Sequence, residues 1–200
     1  MDLPMSRRHL LIAGGAAAAA VAVGGCTRGD DRSSQRASAP LKETPGCVDG
    51  DDVEETPAQT AGPFFTPNSP ERANIADGVD GDTLVITGTI VSSTCEPHAG
   101  ALLDVWQCDA QGTYDNDGFR LRGHQFADDE GRFRLETIVP GVYPGRTRHI
   151  HVRVQPERGR ILTTQLYFPG EAQNARDGLY REECELSMAD DGTASFRFVV

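Results

Sequence analysis

With 200 residues, 38% of them hydrophobic, and with 22 glycines and 12 prolines, the chain has the composition of one turn-rich globular domain plus terminal extras, not of a disordered protein. A formal charge of −11 argues against nucleic-acid binding, because a phosphate-reading surface needs clustered Lys and Arg that the chain beyond its first residues lacks. The acidic balance says nothing further about partners, since a solvated acidic surface is its ordinary meaning.

Residues 1–25 open with the basic pair Arg7 and Arg8, followed by an Ala- and Gly-rich apolar run from Leu10 to Val23. That run is shorter than the roughly 20 residues a spanning helix needs, so residues 1–25 read as a signal peptide. SRRHLL resembles a twin-arginine export signal, without the lysine often found after it. Val23-Gly24-Gly25-Cys26 resembles a bacterial lipobox, in which Cys26 is lipidated and becomes the mature N-terminus. The expectation is export and lipid anchoring at the outer face of a bacterial cell membrane; an ordinary secretory signal with an incidental cysteine is the alternative. Residues 26–56 are polar and hold almost no large apolar side chains, which makes them a tether rather than a folding unit.

Cys47, Cys95, Cys108 and Cys184 remain. An even count in an exported domain suggests two disulfides, with three possible connectivities. Cys95 and Cys108 flank neighbouring strand candidates, so Cys95–Cys108 is expected and, by default, Cys47–Cys184. No C-x-x-C spacing points to zinc or redox chemistry.

Beyond residue 80 the chain becomes short β-rich runs split by Gly, Pro and Asp: Thr83–Val91, Ala101–Cys108, Gly131–Val139, His149–Val154, Leu162–Phe168 and Ser195–Val200. Phe133, Leu135 and Thr137 alternate with Arg132, Arg134 and Glu136, the period of a half-buried strand. The nearest approach to a helical stripe, Glu171–Tyr180, contains a glycine break. Residues 57–200 are therefore expected to fold as an all-β domain, a β-sandwich of short, mainly antiparallel strands with long loops.

In VYPGRTRHIHVRV, His149 and His151 lie two residues apart in a strand, where alternate side chains share a face. Both imidazoles can converge on one metal while Ile150 and Val152 pack the other way. Alone, H-x-H fits zinc, copper, iron or a pair of structural histidines. The chain has four tyrosines, and two sit where packing does not call for them: Tyr114 in the polar loop DAQGTYDN, and Tyr143 in the turn PGVYPGR.

At these residues the chain resembles the intradiol ring-cleavage dioxygenases, which include protocatechuate and catechol dioxygenases. The matching stretches are QTAGPFF, LDVWQCDAQGTYDN, RGHQFADDEGRFRLETIVPGVYPGRTRHIHVRV and TTQLYFPGE, within residues 59–171. The resemblance implies a non-haem Fe(III) site of Tyr114, Tyr143, His149 and His151, with Tyr143 and His151 axial and Tyr114 and His149 equatorial. Two phenolates are hard anionic donors that favour Fe(III) over Fe(II). The same resemblance implies that Tyr143 leaves the metal on substrate binding and takes up a catechol proton, and that Arg146 stabilises charge on the activated ring. Gln165 is implied as a hydrogen-bond partner near substrate, and Pro63 as a substrate contact. Arg148 alternates away from the ligands and reads as a surface or salt-bridging residue; Tyr167 and Tyr180 read as packing, and His98 and His124 receive no role.

Catechol dioxygenases carry a helical dimerisation region where this chain has its tether, so that mode of dimerisation is not expected and the oligomeric state is open; the short, exported, disulfide-bearing form resembles most the extracellular members of the family. The implied activity is opening of an aromatic diol between its hydroxyls with O₂ to give a cis,cis-muconate-type diacid. The alternative is a non-catalytic exported β-sandwich binding module with a structural metal site. Which catechol is the substrate stays open at this stage.

Overall fold

The computed structural model describes residues 53–200; the expected signal peptide, Cys26, Cys47 and the tether up to residue 52 lie outside the described residues. Eight strands follow in chain order: β1 (Thr83–Val91), β2 (Leu102–Trp106), β3 (Arg122–Phe126), β4 (Arg132–Ile138), β5 (His149–Gln155), β6 (Leu162–Tyr167), β7 (Ser187–Met188) and β8 (Thr193–Val199). They form two four-stranded sheets, ordered β4-β1-β8-β7 and β3-β2-β5-β6. Every strand pair is antiparallel except β1 with β8. Among the described residues the only helical pieces are two 3-10 turns, Asn174–Arg176 and Glu182–Cys184. The all-β sandwich expected from the sequence is the fold.

The two sheets close over one apolar core. Leu84 and Ile86 of β1, Phe133 and Leu135 of β4 and Phe198 of β8 meet Leu103 and Val105 of β2, Ile150, Val152 and Val154 of β5, and Leu162 and Leu166 of β6. Each such side chain contributes about 1.5–3 kcal/mol by leaving water. Alternation in β4 is as expected, with Phe133, Leu135 and Thr137 buried and Arg132 and Arg134 exposed. Gly88 allows the parallel β1–β8 contact: a Cβ there would stand 1.8 Å from the carbonyl oxygen of Phe196 and 2.8 Å from the Phe133 ring.

Residues 53–56, assigned to the tether by composition, are already hydrogen-bonded: the amide of Val53 donates to Ser93 O and that of Thr56 to Val199 O. The segment then crosses to the other sheet, where Gln59 N donates to Thr163 O at 2.7 Å. β3, in contrast, lies in a stretch given no strand by its pattern. Its residues RGHQF lack apolar alternation because Arg122 is buried by charge-assisted bonds and His124 is half-buried.

The expected Cys95–Cys108 and Cys47–Cys184 pairing is overturned. Cys108 and Cys184 are free and buried, whereas Cys95 is disulfide-bonded. Cys95 precedes β2 and Cys108 follows it, so the strand's own length, at about 3.3 Å per residue, stands between two sulfurs that a bridge requires within about 7 Å at Cα. The Cys108 thiol instead donates to Gly141 O at 3.4 Å, and the Cys184 thiol lies 3.6 Å from Thr164 Oγ1.

Candidate metal centre

One row of directly opposed residues crosses the β3-β2-β5-β6 sheet on the face turned away from the core: Arg122, Trp106, His151 and Gln165. All four are at most 1% exposed. In the next register of β5 and β6, His149 opposes Tyr167. The antiparallel order brings the end of β2, the start of β5 and the end of β6 to the same edge, so the strand pattern that buries Ile150 and Val152 also turns both imidazoles into this face.

Two loops complete the cluster. Residues 107–121, between β2 and β3, carry Tyr114; residues 139–148, between β4 and β5, carry Tyr143 and Arg146. The rings of Tyr114 and Tyr143 are 5.9 Å apart, those of Tyr143 and His149 5.6 Å, those of His149 and His151 4.8 Å, and those of Tyr114 and His151 6.3 Å. All four residues expected as ligands therefore gather in one place. Among the described residues no three His, Cys, Asp or Glu side chains cluster; this set is two imidazoles and two phenols.

Glycine holds the two loops against each other. Gly112 has φ +81° and a Cβ there would lie 2.4 Å from Val142 O, next to Tyr143; a Cβ on Gly141 would lie 2.4 Å from Gly112 N. Asp109 ties the same contact, its carbonyl accepting from the amides of Gly112 at 3.0 Å and Gly141 at 2.8 Å. Arg122 fixes Tyr114 from the other side. Its Nη1 donates to Phe64 O at 2.6 Å, and its Nε and Nη2 donate to Asp115 O at 3.0 and 2.8 Å. Phe64 stacks on Tyr114 at 4.3 Å, so the arginine clamps the phenol's neighbour in sequence and its neighbour in space.

The imidazoles are held in different ways. His149 Nδ1–H donates to Thr147 O at 2.7 Å, which leaves Nε2 as a bare acceptor facing Tyr143 OH at 3.3 Å. His151 Nδ1 has no partner, and its ring lies flat on Trp106, 5.0 Å away and 3° from parallel. Burial, reinforced by the Arg146 guanidinium, pushes His149 down to about 4. Burial, then the neighbouring His149, drives His151 well below the usual imidazole value. Both rings are thus neutral at ordinary pH, the protonation state in which imidazole binds metal. Burial raises the Tyr114 phenol far above its usual range, with Tyr143 adding to the effect; burial also raises Tyr143 against the pull of Arg146. The Tyr114 hydroxyl is buried and has no hydrogen-bond partner.

Arg146 touches the cluster and is itself held. Nη1 donates to Tyr143 OH at 3.4 Å, Nη2 donates to Gln165 Oε1, and Nε donates to Asp177 Oδ2 at 2.9 Å. Gln165, fully buried, also donates from Nε2 to Thr60 O at 3.2 Å. Pro63 is exposed, between Gly62, whose Cβ position lies 3.4 Å from the His151 ring, and Phe64 on Tyr114. Arg148 turns away and pairs with Glu171 at 2.7 Å. Tyr167 is fully buried, with its hydroxyl donating to Leu179 O at 2.8 Å. His98 and His124 bond backbone carbonyls, of Val200 at 3.3 Å and of Ser69 at 2.7 Å.

Sequence reasoning did not single out Trp106, Arg122 or Asp177. Trp106 could have been found, since it alternates with Asp104 and lies two residues before Cys108 in a quoted motif. Arg122 opens the matching stretch RGHQF but nothing there shows that it is buried, and Asp177 carried no local signal because its partner Arg146 is distant along the chain.

A family model described as Dioxygenase matches residues 60–191. The chain is 32% identical over 141 residues to a catechol 1,2-dioxygenase of Candida albicans, covering 56% of this chain and 46% of that protein. It is 33% identical over 119 residues to a protocatechuate 3,4-dioxygenase beta chain of Burkholderia cepacia, covering 50% of this chain and 51% of that one. The chain thus spans about half the length of these curated relatives. Among solved structures, the dioxygenase domain of a dioxygenase–carbohydrate-binding protein fusion from Streptomyces sp. SirexAA-E superposes with a TM-score of 0.71 at 45% identity, covering 74% of this chain and 98% of that one.

Proposed function

The chain belongs to the intradiol ring-cleavage dioxygenase family, and we propose that it is a non-haem iron(III) enzyme that opens a catechol-type diol between its two hydroxyls. The observation that carries this is the Tyr114 hydroxyl, buried without a partner beside Tyr143, His149 and His151. A buried, unsatisfied phenol costs about 1–3 kcal/mol. Iron(III) in contact with it, with Tyr143 OH and with the two imidazoles would remove that cost and supply the charge that lets both phenols ionise. The donor set fits: hard anionic oxygens with neutral nitrogens suit a ferric ion.

Bound there, iron(III) would withdraw electron density from a catecholate so that a ring carbon reacts with O₂. The protein's own groups do the rest. Tyr143 is the less buried of the two phenols, with Arg146 at its oxygen, and it is the one suited to release as substrate enters and to take a catechol proton on Oη. The Arg146 guanidinium, half-buried and always charged, stabilises negative charge on the ring as O₂ adds. Gln165 holds one arm of that guanidinium. Trp106 and Phe65, edge to face at 4.9 Å, keep water from the His151 side. Pro63 is the proposed wall on the substrate side. Both atoms of O₂ enter the product, a cis,cis-muconate-type diacid. A binding module would give no task to Arg146 and Gln165, joined to each other beside the phenols.

The N-terminal residues extend the proposal: export and a lipid at Cys26 would hold the domain outside the membrane, acting on diols from the surroundings. Oxygen uptake and product spectra over a panel of catechol, hydroxyquinol, protocatechuate and lignin-derived diols test the activity. One O₂ consumed per diol with a muconate-type product is expected; an extradiol product, or no uptake across the panel, would contradict it.

A further inference from the structure

Asp177 is absent from every motif in the sequence, yet its side chain is 2% exposed and its carboxylate is paired with Arg146. It lies in the segment between β6 and β7, just after the 3-10 turn Asn174–Arg176. Oδ2 accepts two bonds at once, from Arg146 Nε at 2.9 Å and from the amide of Thr147 at 2.8 Å. Oδ1 accepts from the amide of Leu179 at 2.9 Å. The carboxylate is thus the joint between the segment after β6 and the loop that carries Tyr143 and Arg146.

We propose that Asp177 is a positioning residue for Arg146, setting which way the guanidinium points. This rests on the iron(III) reading above. The guanidinium has three nitrogens and three partners. Because Asp177 holds Nε, Nη1 and Nη2 are left to reach Tyr143 OH and Gln165 Oε1. Asp177 neutralises the cation on its Nε side and so holds the other two nitrogens toward Tyr143 and Gln165. The same Oδ2 fixes the amide of Thr147, whose carbonyl orients the His149 ring. A single carboxylate therefore bears on the arginine directly and on one imidazole through one residue.

The test is a double-mutant cycle of Asp177→Asn and Arg146→Gln on iron-loaded protein, read by kinetics and by the visible phenolate-to-iron(III) band. Asp177→Asn is expected to keep iron content and colour, to shift the band as Arg146 loses its fixed approach to the Tyr143 oxygen, and to lower kcat about 10- to 100-fold with little change in KM. Because the Asn side-chain oxygen can still accept from the Thr147 amide and keep His149 in place, the same substitution in the Arg146→Gln background is expected to shift nothing and to cost less than about twofold. Losses that multiply independently, or an Asp177→Asn protein with unaltered kcat and band, would overturn the proposal while coloured, active wild type leaves the iron site standing. Colourless and inactive iron-loaded wild type would overturn the iron site and this proposal together. If Asp177→Asn is not recovered folded, Asp177→Glu carries the same cycle, since a longer arm also misplaces Arg146, and most of its effect on kcat must be lost in the Arg146→Gln background.

Discussion

Trp106 and His151, opposed in β2 and β5, stack with ring planes 3° apart and centroids 5.0 Å apart. His149 is oriented by a hydrogen bond to Thr147 O, but His151 has no such bond, and the indole face takes its place.

Removing that face should loosen one ligand only. Trp106→Leu is expected to weaken iron binding about 10- to 100-fold, the usual effect of losing a group that orients a ligand. Trp106→Phe, which keeps an aromatic face, should stay within about threefold of wild type. Chelator competition monitored by colour measures both. Equal affinity in the Leu variant would show that the stack does not orient His151.

Gly112 joins the Tyr114 and Tyr143 loops at a distance that admits no side chain. Gly112→Ala must relieve both a left-handed φ and a Cβ contact with Val142 O, so a loss of about 2–4 kcal/mol is expected. Thermal melting reads the stability, and the visible band should weaken because the two phenols part. A stable and fully coloured Ala variant would mean that the loops are held by other contacts.

The cysteines make a chemical prediction. Cys108 and Cys184 are free and buried, so alkylation of native protein should spare both, and unfolding without reductant should expose both to label. Cys95, being disulfide-bonded, should label only after reduction. Peptide mapping by mass spectrometry reads all three, and label on Cys95 without reductant would contradict the assignment.

Export is tested at the N-terminus. Changing Arg7 and Arg8 together to Lys should block export by a twin-arginine route, and Cys26→Ala should release the protein from the membrane fraction. Immunoblots of cell fractions follow both. Unchanged export and membrane attachment would remove that part of the proposal.

Much of this was legible in the sequence, for identifiable reasons. β1 was readable because Leu84 and Ile86 alternate with residues that face outwards, and β5 because its imidazoles alternate with Ile150 and Val152. The site was legible where its residues are bunched, as Tyr143, Arg146, His149 and His151 are. What stayed hidden depends on partners far along the chain. β3 is polar and becomes a strand by pairing with β2; Arg122 is buried because Phe64 and Asp115 offer it carbonyls; Asp177 lies 31 residues from Arg146. The cysteine pairing failed because nearness in sequence was taken for nearness in space across β2.

The iron site itself is tested most directly by the visible spectrum of the purified protein after loading with ferric iron, alone and as Tyr114→Phe, Tyr143→Phe and the double variant. If both phenols bind the metal, wild type is burgundy-red from tyrosinate-to-iron(III) charge transfer, each single variant has a weaker and shifted band, and the double variant has none. Colourless loaded wild type, or a band that survives loss of both Tyr114 and Tyr143, would contradict the site.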